Sequence, residues 1–261
     1  VVAFPPCKIN LGLNVVRKRS DGYHDIATCF YPVPWTDILE IIPSEKFSFT
    51  VSGNVIPGSE DDNLCVKAYK LLNTPPVKIH LHKIIPTGAG LGGGSSDAAW
   101  TLRLLNDLFV LKLSKDELRN HASKVGSDCA FFIDDVPMIG TGRGELLTSV
   151  NVSLKGKYIV IIKPDVHIST VQAYTGVVPK VSGLSIENIP FNEWKKYLKN
   201  EFEETIFQKF PVIKSIKEAL YTAGAIYASM SGSGSAVYGI FSENIDHEKI
   251  SSHTPSYSGW L

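Results

Sequence analysis

Alternating apolar and polar positions dominate the first third of the chain and predict strands. Cys7-Lys-Ile-Asn-Leu-Gly-Leu-Asn-Val-Val16 has period-2 apolar character. Lys18-Arg-Ser-Asp-Gly22 then supplies a turn in which Asp21-Gly22 suits positive φ. Ile26 to Tyr31, Asp37 to Ile42 and Phe47 to Val51 read as further strands. Behind Asp61-Asp62-Asn63 the spacing changes, and Leu64, Ala68, Leu71 and Leu72 line one face of a helix. Val77-Lys-Ile-His-Leu-His82 returns to alternation and runs into a glycine-rich stretch, GAGLGGGSSDAAW, at 88–100. Ser95 is read as the cap of a helix ending near Phe109, with Ala98, Leu102, Leu105 and Phe109 as its apolar stripe. Ser114 and Glu117 have the spacing of a capping box for the next helix, and Gly126 is placed as its left-handed C-terminal residue.

Beyond Leu154 the pattern weakens. Lys157 to Lys163 is a strong β run with the apolar stretch Tyr158-Ile-Val-Ile-Ile162 inside it, helices are predicted around Phe191 to Lys199 and Phe210 to Thr222, and Ala228 to Phe241 reads as a glycine turn feeding a strand. The economical organisation is two α+β domains, 1–150 and 151–261, with no internal repeat. Composition then narrows the class. Lys+Arg and Asp+Glu are equal at 26 each, so no charge excess draws the chain to nucleic acid or an anionic membrane. The apolar runs are too short to span a bilayer, no secretory signal pattern is present, and the chain starts without Met. Cys7, Cys29, Cys65 and Cys129 are scattered, without zinc-ligand spacing, and read as reduced buried thiols of a cytoplasmic protein.

The glycine stretch carries the chemistry. Gly88, Gly90 and Gly93 satisfy G-x-G-x-x-G, but Pro86 interrupts the strand-to-glycine junction. Asp107, at the distance of a ribose-binding carboxylate, falls inside a helix, so a dinucleotide fold does not fit. No Lys follows the last glycine as a Walker A loop requires. What remains is an anion cradle: glycines that let successive N–H groups converge, Ser95 and Ser96 as hydroxyl donors, and the positive end of a helix. The loop is predicted to bind phosphate.

Pro86-Thr-Gly-Ala-Gly-Leu-Gly-Gly-Gly-Ser-Ser96, so read, resembles the central motif of the GHMP kinases, the family of galactokinase, homoserine kinase, mevalonate kinase and phosphomevalonate kinase. Cys7-Lys-Ile-Asn-Leu11 is similar to the family's N-terminal A-K-I-N-L motif, with Cys7 in place of Ala, and Ser229-Met-Ser-Gly-Ser-Gly-Ser235 to its C-terminal glycine motif. Asp21-Gly-Tyr-His24 narrows the resemblance to the branch acting on a cytidine-diphosphate-linked methylerythritol in non-mevalonate isoprenoid synthesis. The resemblance runs from about residue 4 to 241. It implies a ribosomal protein S5 domain 2-like N-terminal domain that binds ATP, a ferredoxin-like C-terminal domain that binds the substrate, and transfer of the γ-phosphoryl group to the 2-hydroxyl. It also implies ATP with Mg2+, whose protein ligands stay open.

Residue by residue, the resemblance places Pro86, Thr87, Gly88, Ala89, Gly90, Leu91, Gly92, Gly93, Gly94, Ser95 and Ser96 on the nucleotide, with Asn63 and Lys83 near its adenine. Lys83 reads equally as a solvated strand lysine. Asp128 is placed as the acceptor of the hydroxyl proton, although Gly126-Ser-Asp128 alone reads as a helix cap. Lys8 is placed beside Asp128, keeping that carboxylate ionised, and Asn10 on the substrate. Tyr23 and His24 are placed on the cytosine, Thr170 and Tyr174 on the cytidine, Tyr174 supplying a second wall for the base.

Overall fold

The structure, a computed structural model, describes residues 1–180, 186–246, 250 and 256–261. Its first half contains β1 (Val2–Ala3), β2 (Pro6–Lys18), β3 (His24–Thr36), β4 (Ile38–Pro43), β5 (Ser48–Gly53), α1 (Leu64–Leu72), β6 (Val77–Lys83), α2 (Gly93–Leu108) and α3 (Lys115–Val125). Then follow β7 (Met138–Thr141), β8 (Leu146–Ser149), β9 (Tyr158–Ile162), α4 (Thr170–Tyr174) and α5 (Trp194–Tyr197). The chain closes with α6 (Phe202–Lys209), α7 (Pro211–Thr222), β10 (Tyr227–Met230), β11 (Val237–Phe241) and β12 (Tyr257–Trp260). Two compact units are interleaved along it: 1–8, 35–87 and 92–136 form the first, and 9–34, 88–91 and 137–261 the second.

The first unit is a four-stranded sheet, β1-β4-β6-β5, antiparallel except for the parallel pair β5–β6. Strand alternation decides its faces. Leu39, Ile41, Val77, Ile79 and Leu81 point into one core with Cys65, Leu104 and Leu105 of the helices. On β6 the residues between them, Lys78, His80 and His82, lie outside that core, and the Ser52 hydroxyl bonds both histidines. By the same parity Lys83 falls on the inner side, where it is buried. In α2 the expected stripe is found in part: Ala98, Leu102 and Leu105 are inaccessible, each leucine worth roughly 1.5–3 kcal/mol of burial, whereas Phe109 lies past the helix end as its C-cap and is only half-buried.

The helix ends show where side-chain patterns mislead. Helix α2 begins at Gly93, with left-handed Gly92 (φ 71) at its N-cap, so Ser95 sits inside the first turn rather than capping it. Only glycine enters a helix readily from that conformation. The Ser114–Glu117 capping box of α3 forms as expected. Gly126 does not take the left-handed conformation: its backbone is extended (φ −172), because the chain leads straight into a 3-10 turn at Cys129–Ile133. Helices α4 and α6 were not anticipated; α4 opens with a second capping box, Ser169 with Gln172.

The second unit holds two four-stranded sheets, β2-β3-β7-β8 and β10-β11-β9-β12. The apolar run at Tyr158–Ile162 becomes β9, an interior strand with all five residues buried, as continuous apolar character requires of a strand covered on both faces. Val160, Ile162 and Val237 share a core with Phe202 and Ile206 of α6 and Ile213, Ile216 and Leu220 of α7. The two glycine motifs interlock inside this unit. The Ala236 amide donates to the Ala89 carbonyl (3.1 Å), and the Ser231 hydroxyl to the Gly90 carbonyl (2.8 Å). A Cβ on Gly90 would stand 1.9 Å from the Ser231 oxygen, and one on Gly234 2.1 Å from the Ala89 carbonyl carbon.

This geometry sets a contrast between glycines. Gly90→Ala, or Gly234→Ala, is expected to cost about 3 kcal/mol or more through backbone overlap. Gly22→Ala, at positive φ but with nothing within 4 Å, is expected to cost only about 1 kcal/mol. Urea midpoints of the three variants measure the difference.

Candidate active site

The glycine run serves three purposes at once. Gly88 (φ 65), Gly90 (φ 78) and Gly92 (φ 71) are left-handed, while Ala89 and Leu91 between them are buried and pin the loop. Gly92 and Gly93 leave room for buried lysines of the first unit. A Cβ on Gly92 would lie 3.1 Å from the Lys8 Cγ, and one on Gly93 2.8 Å from the Lys83 Nζ. Gly94 is the open position, exposed, with only a Leu64 methyl at 3.9 Å from an added Cβ. Ser95 is half-buried, and the buried Ser96 hydroxyl has no hydrogen-bond partner among the described residues.

Lys8 is not an exposed strand lysine. It is 3% accessible, and its ammonium lies 3.5 Å from the carboxylate of Asp128, which is 30% accessible. Asp128 occupies the cap position of the 129–133 turn but makes no side-chain cap bond, so its carboxylate is left for Lys8. Burial lowers the Lys8 pKa, with Asp128 pulling the other way.

Lys83 is likewise not solvated. Its ammonium, 2% accessible as a residue, is held by Asp37 and, at 2.8 Å, by Asp97. The second Asp37 oxygen accepts from the Ile84 and Ile85 amides at 2.6 and 2.8 Å. Burial works against the Lys83 charge, but Asp97 and Asp37 outweigh it and raise its pKa. Burial also pushes the Asp97 carboxyl up to about 7, Lys83 opposing and Asp37 adding to the shift. Lys83, Asp97, Thr87 and Gly94 border a cavity of about 210 Å³ in the first unit, closed by Ile56, Pro57 and Leu64. Asn63, also at its wall, caps α1 by accepting from the Cys65 amide. Pro86 is half-buried beside Thr87 in the chain.

The second unit holds the residues placed on the cytidine. The His24 and Tyr174 rings stack at 4.5 Å and 17°, and Phe202 meets Tyr174 edge-on at 4.8 Å. Burial lowers the His24 pKa, helped by Lys18. Tyr23 is 59% accessible, with the Arg143 guanidinium 5.4 Å from its ring centre. The ring lying on Tyr174 is therefore His24, not Tyr23. Thr170 is exposed at the first position of α4. Asn10 is buried, donating to the Thr28 hydroxyl (2.9 Å), while its backbone carbonyl accepts from the Tyr238 hydroxyl (2.7 Å).

Sequence reasoning missed four side chains that hold these pieces. Asp37 and Asp97 clamp Lys83; Glu203 accepts from the Met230 amide (2.9 Å) and the Ser229 hydroxyl (3.0 Å); Asn200 donates to the Met230 and Gly232 carbonyls at 3.0 and 2.8 Å. Helical phase offered one signal. Asp97 shares a face with the buried Thr101 and Leu105, where a charge demands a partner. The four cysteines are free and buried, and burial pushes the Cys29 and Cys129 thiols up to about 12, so neither is a thiolate nucleophile at neutral pH.

Comparison with known proteins identifies the family. The GHMP kinases N terminal domain matches residues 63–143, and the GHMP kinases C terminal domain residues 185–253. The chain belongs to the GHMP kinase family. Among curated relatives, the 4-diphosphocytidyl-2-C-methyl-D-erythritol kinase of Cytophaga hutchinsonii is 52% identical, covering 96% of this chain and 97% of that protein. The kinase of the same name from Bacteroides thetaiotaomicron is 51% identical over 92% of each. A crystal structure of 4-(cytidine 5'-diphospho)-2C-methyl-D-erythritol kinase superposes with a TM-score of 0.78 at 31% identity, covering 92% of this chain and 90% of that one. A homoserine kinase structure from Cytophaga hutchinsonii, at 19% identity, TM-score 0.62 and coverages of 94% and 87%, shares the GHMP fold alone.

The Asp97 shift has a measurable sign in this GHMP kinase. Its folded pKa, about 7, lies above the ordinary 3.8, so ionising Asp97 costs folding stability. That contribution is full below the ordinary value and lost as pH rises through the folded one. Urea unfolding between about pH 5 and pH 8 is expected to show a falling component that Asp97→Asn removes. An identical slope in the variant would assign the fall to other groups.

Proposed function

We propose that this chain is an ATP-dependent kinase that phosphorylates the 2-hydroxyl of 4-diphosphocytidyl-2-C-methyl-D-erythritol, a cytoplasmic step of non-mevalonate isoprenoid synthesis. The observation that carries the phosphotransfer reading is the buried Lys8 ammonium 3.5 Å from the partly open Asp128 carboxylate, a cation and a base held together. The identity of the alcohol is supported by the relatives' names at 45–52% identity over most of the chain. The expected base sandwich is not open here, because the Tyr174 face is occupied by the His24 ring.

The chemistry follows from these roles. The substrate oxygen attacks the γ-phosphorus, its proton passes to Asp128, the bond to the β–γ bridging oxygen breaks, and ADP leaves. Lys8 keeps Asp128 ionised and orients the hydroxyl. Amides of the run 87–94, which Pro86 leads into, the start of α2 and the hydroxyls of Ser95 and Ser96 take the phosphates. Asn63 and Lys83, at the walls of the 210 Å³ cavity, take the adenine end. Tyr23, His24, Thr170 and Tyr174 take the cytidine, and Asn10 shapes the substrate site from its buried position. The sequence modules 1–150 and 151–261 are proposed as the nucleotide and substrate halves, although 9–34, with Tyr23 and His24, belong to the same compact unit as 137–261.

ATP brings a magnesium ion that offsets phosphate charge. No group of three or more His, Cys, Asp or Glu able to hold a metal occurs among the described residues. The protein ligands of the magnesium ion carried by ATP are left open. No described helix is long and apolar enough to cross a membrane.

Coupled ADP release with this alcohol, homoserine and mevalonate tests the reading; turnover of either other alcohol in preference would overturn it. Asp128→Asn is expected to lower kcat by roughly 10²–10⁴-fold while the Kd for ATP holds. Unchanged turnover would remove Asp128 from the mechanism. Because burial lowers the Lys8 pKa, kcat/KM is expected to decline on the alkaline side below 10.5, with the limb moving upward in Lys8→Arg.

A further inference from the structure

Three ionisable side chains meet beneath the start of α2, and the phosphotransfer chemistry uses only one of them. Lys83 ends β6, Asp37 precedes β4, and Asp97 lies in the second turn of α2; all three are almost inaccessible. Such a cluster is a poor way to gain stability, since taking three ions out of water costs several kcal/mol each and apolar side chains of similar volume serve as well. The chain also leaves a gap in the helix for it, because any Cβ on Gly93 would strike the Lys83 ammonium at 2.8 Å.

The contacts show what the cluster holds. Asp37 grips Lys83 with one oxygen and, with the other, the amides of Ile84 and Ile85, the first residues of the segment leading to Pro86 and Thr87. Asp97 ties the same ammonium to α2, three residues after Gly94. Thr87 and Gly94 lie on the wall of the 210 Å³ cavity, as do Lys83 and Asp97 themselves. The second Asp97 oxygen is buried with no hydrogen-bond partner among the described residues, so the carboxylate is committed to Lys83 rather than spread over several donors.

We propose that Asp37 and Asp97 are positioning residues for the nucleotide: by clamping the Lys83 ammonium between them, they fix the separation between segment 84–87 and the start of α2, and with it the shape of the cavity. The proposal rests on the reading of that cavity as the nucleotide site. It assigns roles to two carboxylates outside the glycine run and makes Lys83 a strut as well as a wall.

The test separates positioning from mere folding. In Asp97→Asn the charge-assisted contact is lost but the shape is kept; KM for ATP, and the Kd for a non-hydrolysable ATP analogue by calorimetry, are expected to rise about tenfold, the size of one such bond. The alcohol KM and kcat should stay within about twofold. Asp37→Asn should behave alike. Should a single variant fail to fold, the neutral combination Asp37→Asn, Lys83→Met, Asp97→Asn leaves no unpaired buried charge and keeps the volume. It is expected to fold and to bind the analogue at least tenfold more weakly. Wild-type affinity for the analogue in any folded variant, or equal losses in both KM values, would overturn the strut. Failure of the wild-type chain to bind the analogue at all would instead overturn the nucleotide reading.

Discussion

Two lysines buried side by side under one helix start are the constraint around which the first unit is built. An ammonium removed from water must be given carboxylates, and each lysine has its own: Asp128 for Lys8, Asp37 and Asp97 for Lys83. The helix above must make room for both. Gly92 does so over the Lys8 stem and Gly93 over the Lys83 ammonium, so consecutive glycines correspond to consecutive buried cations. Helix α2 consequently begins at Gly93 from a left-handed Gly92, and the amides proposed to bind phosphate at its start belong to the same residues whose missing side chains admit the lysines. One local feature serves backbone conformation, packing and electrostatics together.

In the second unit a comparable economy holds the C-terminal glycine motif. Gly90 and Gly234 permit two backbone segments to approach within overlap distance of any side chain. Asn200 and Glu203, from the start of α6, then anchor the turn through the Met230 amide and carbonyl and the Gly232 carbonyl. Lys217 of α7 balances the Glu203 charge at 2.5 Å. Glycine-rich sequence in this family member is thus as much about close backbone packing as about phosphate. An anion cradle would account for the open positions of the run, such as Gly94, whereas Gly90 is required by close backbone approach.

Legibility differed by the kind of signal. Strand alternation from 77 to 82 is legible in the sequence, but the burial of Lys83 just beyond it is decided by Asp37 and Asp97, which supply its partners. The Ser114 capping box was readable because both partners lie within four residues. The α2 start was not, since Ser95 looks like a cap and only the packing over Lys8 and Lys83 shows why two glycines must open the helix. Gly126 was misjudged for a related reason: a glycine after a helix is commonly left-handed, but here the following turn needs it extended. Helix α6 and its anchors were invisible, because Asn200 and Glu203 find their partners about thirty residues away in the chain.

The chain by itself determined the α+β class, most element positions and the family motifs, because periodicity and short motifs are local properties. The pairing of Lys8 with Asp128 was implied only by the family resemblance, since each residue alone reads as a surface lysine or a helix cap. Tertiary structure decided which side chains are buried together: that Lys83 shares its charge with Asp37 and Asp97, that His24 rather than Tyr23 lies on Tyr174, and that Asn10 is held within the protein. Those facts depend on residues brought together from distant parts of the chain, and the burial of a charge is settled only when every neighbour around it is in place.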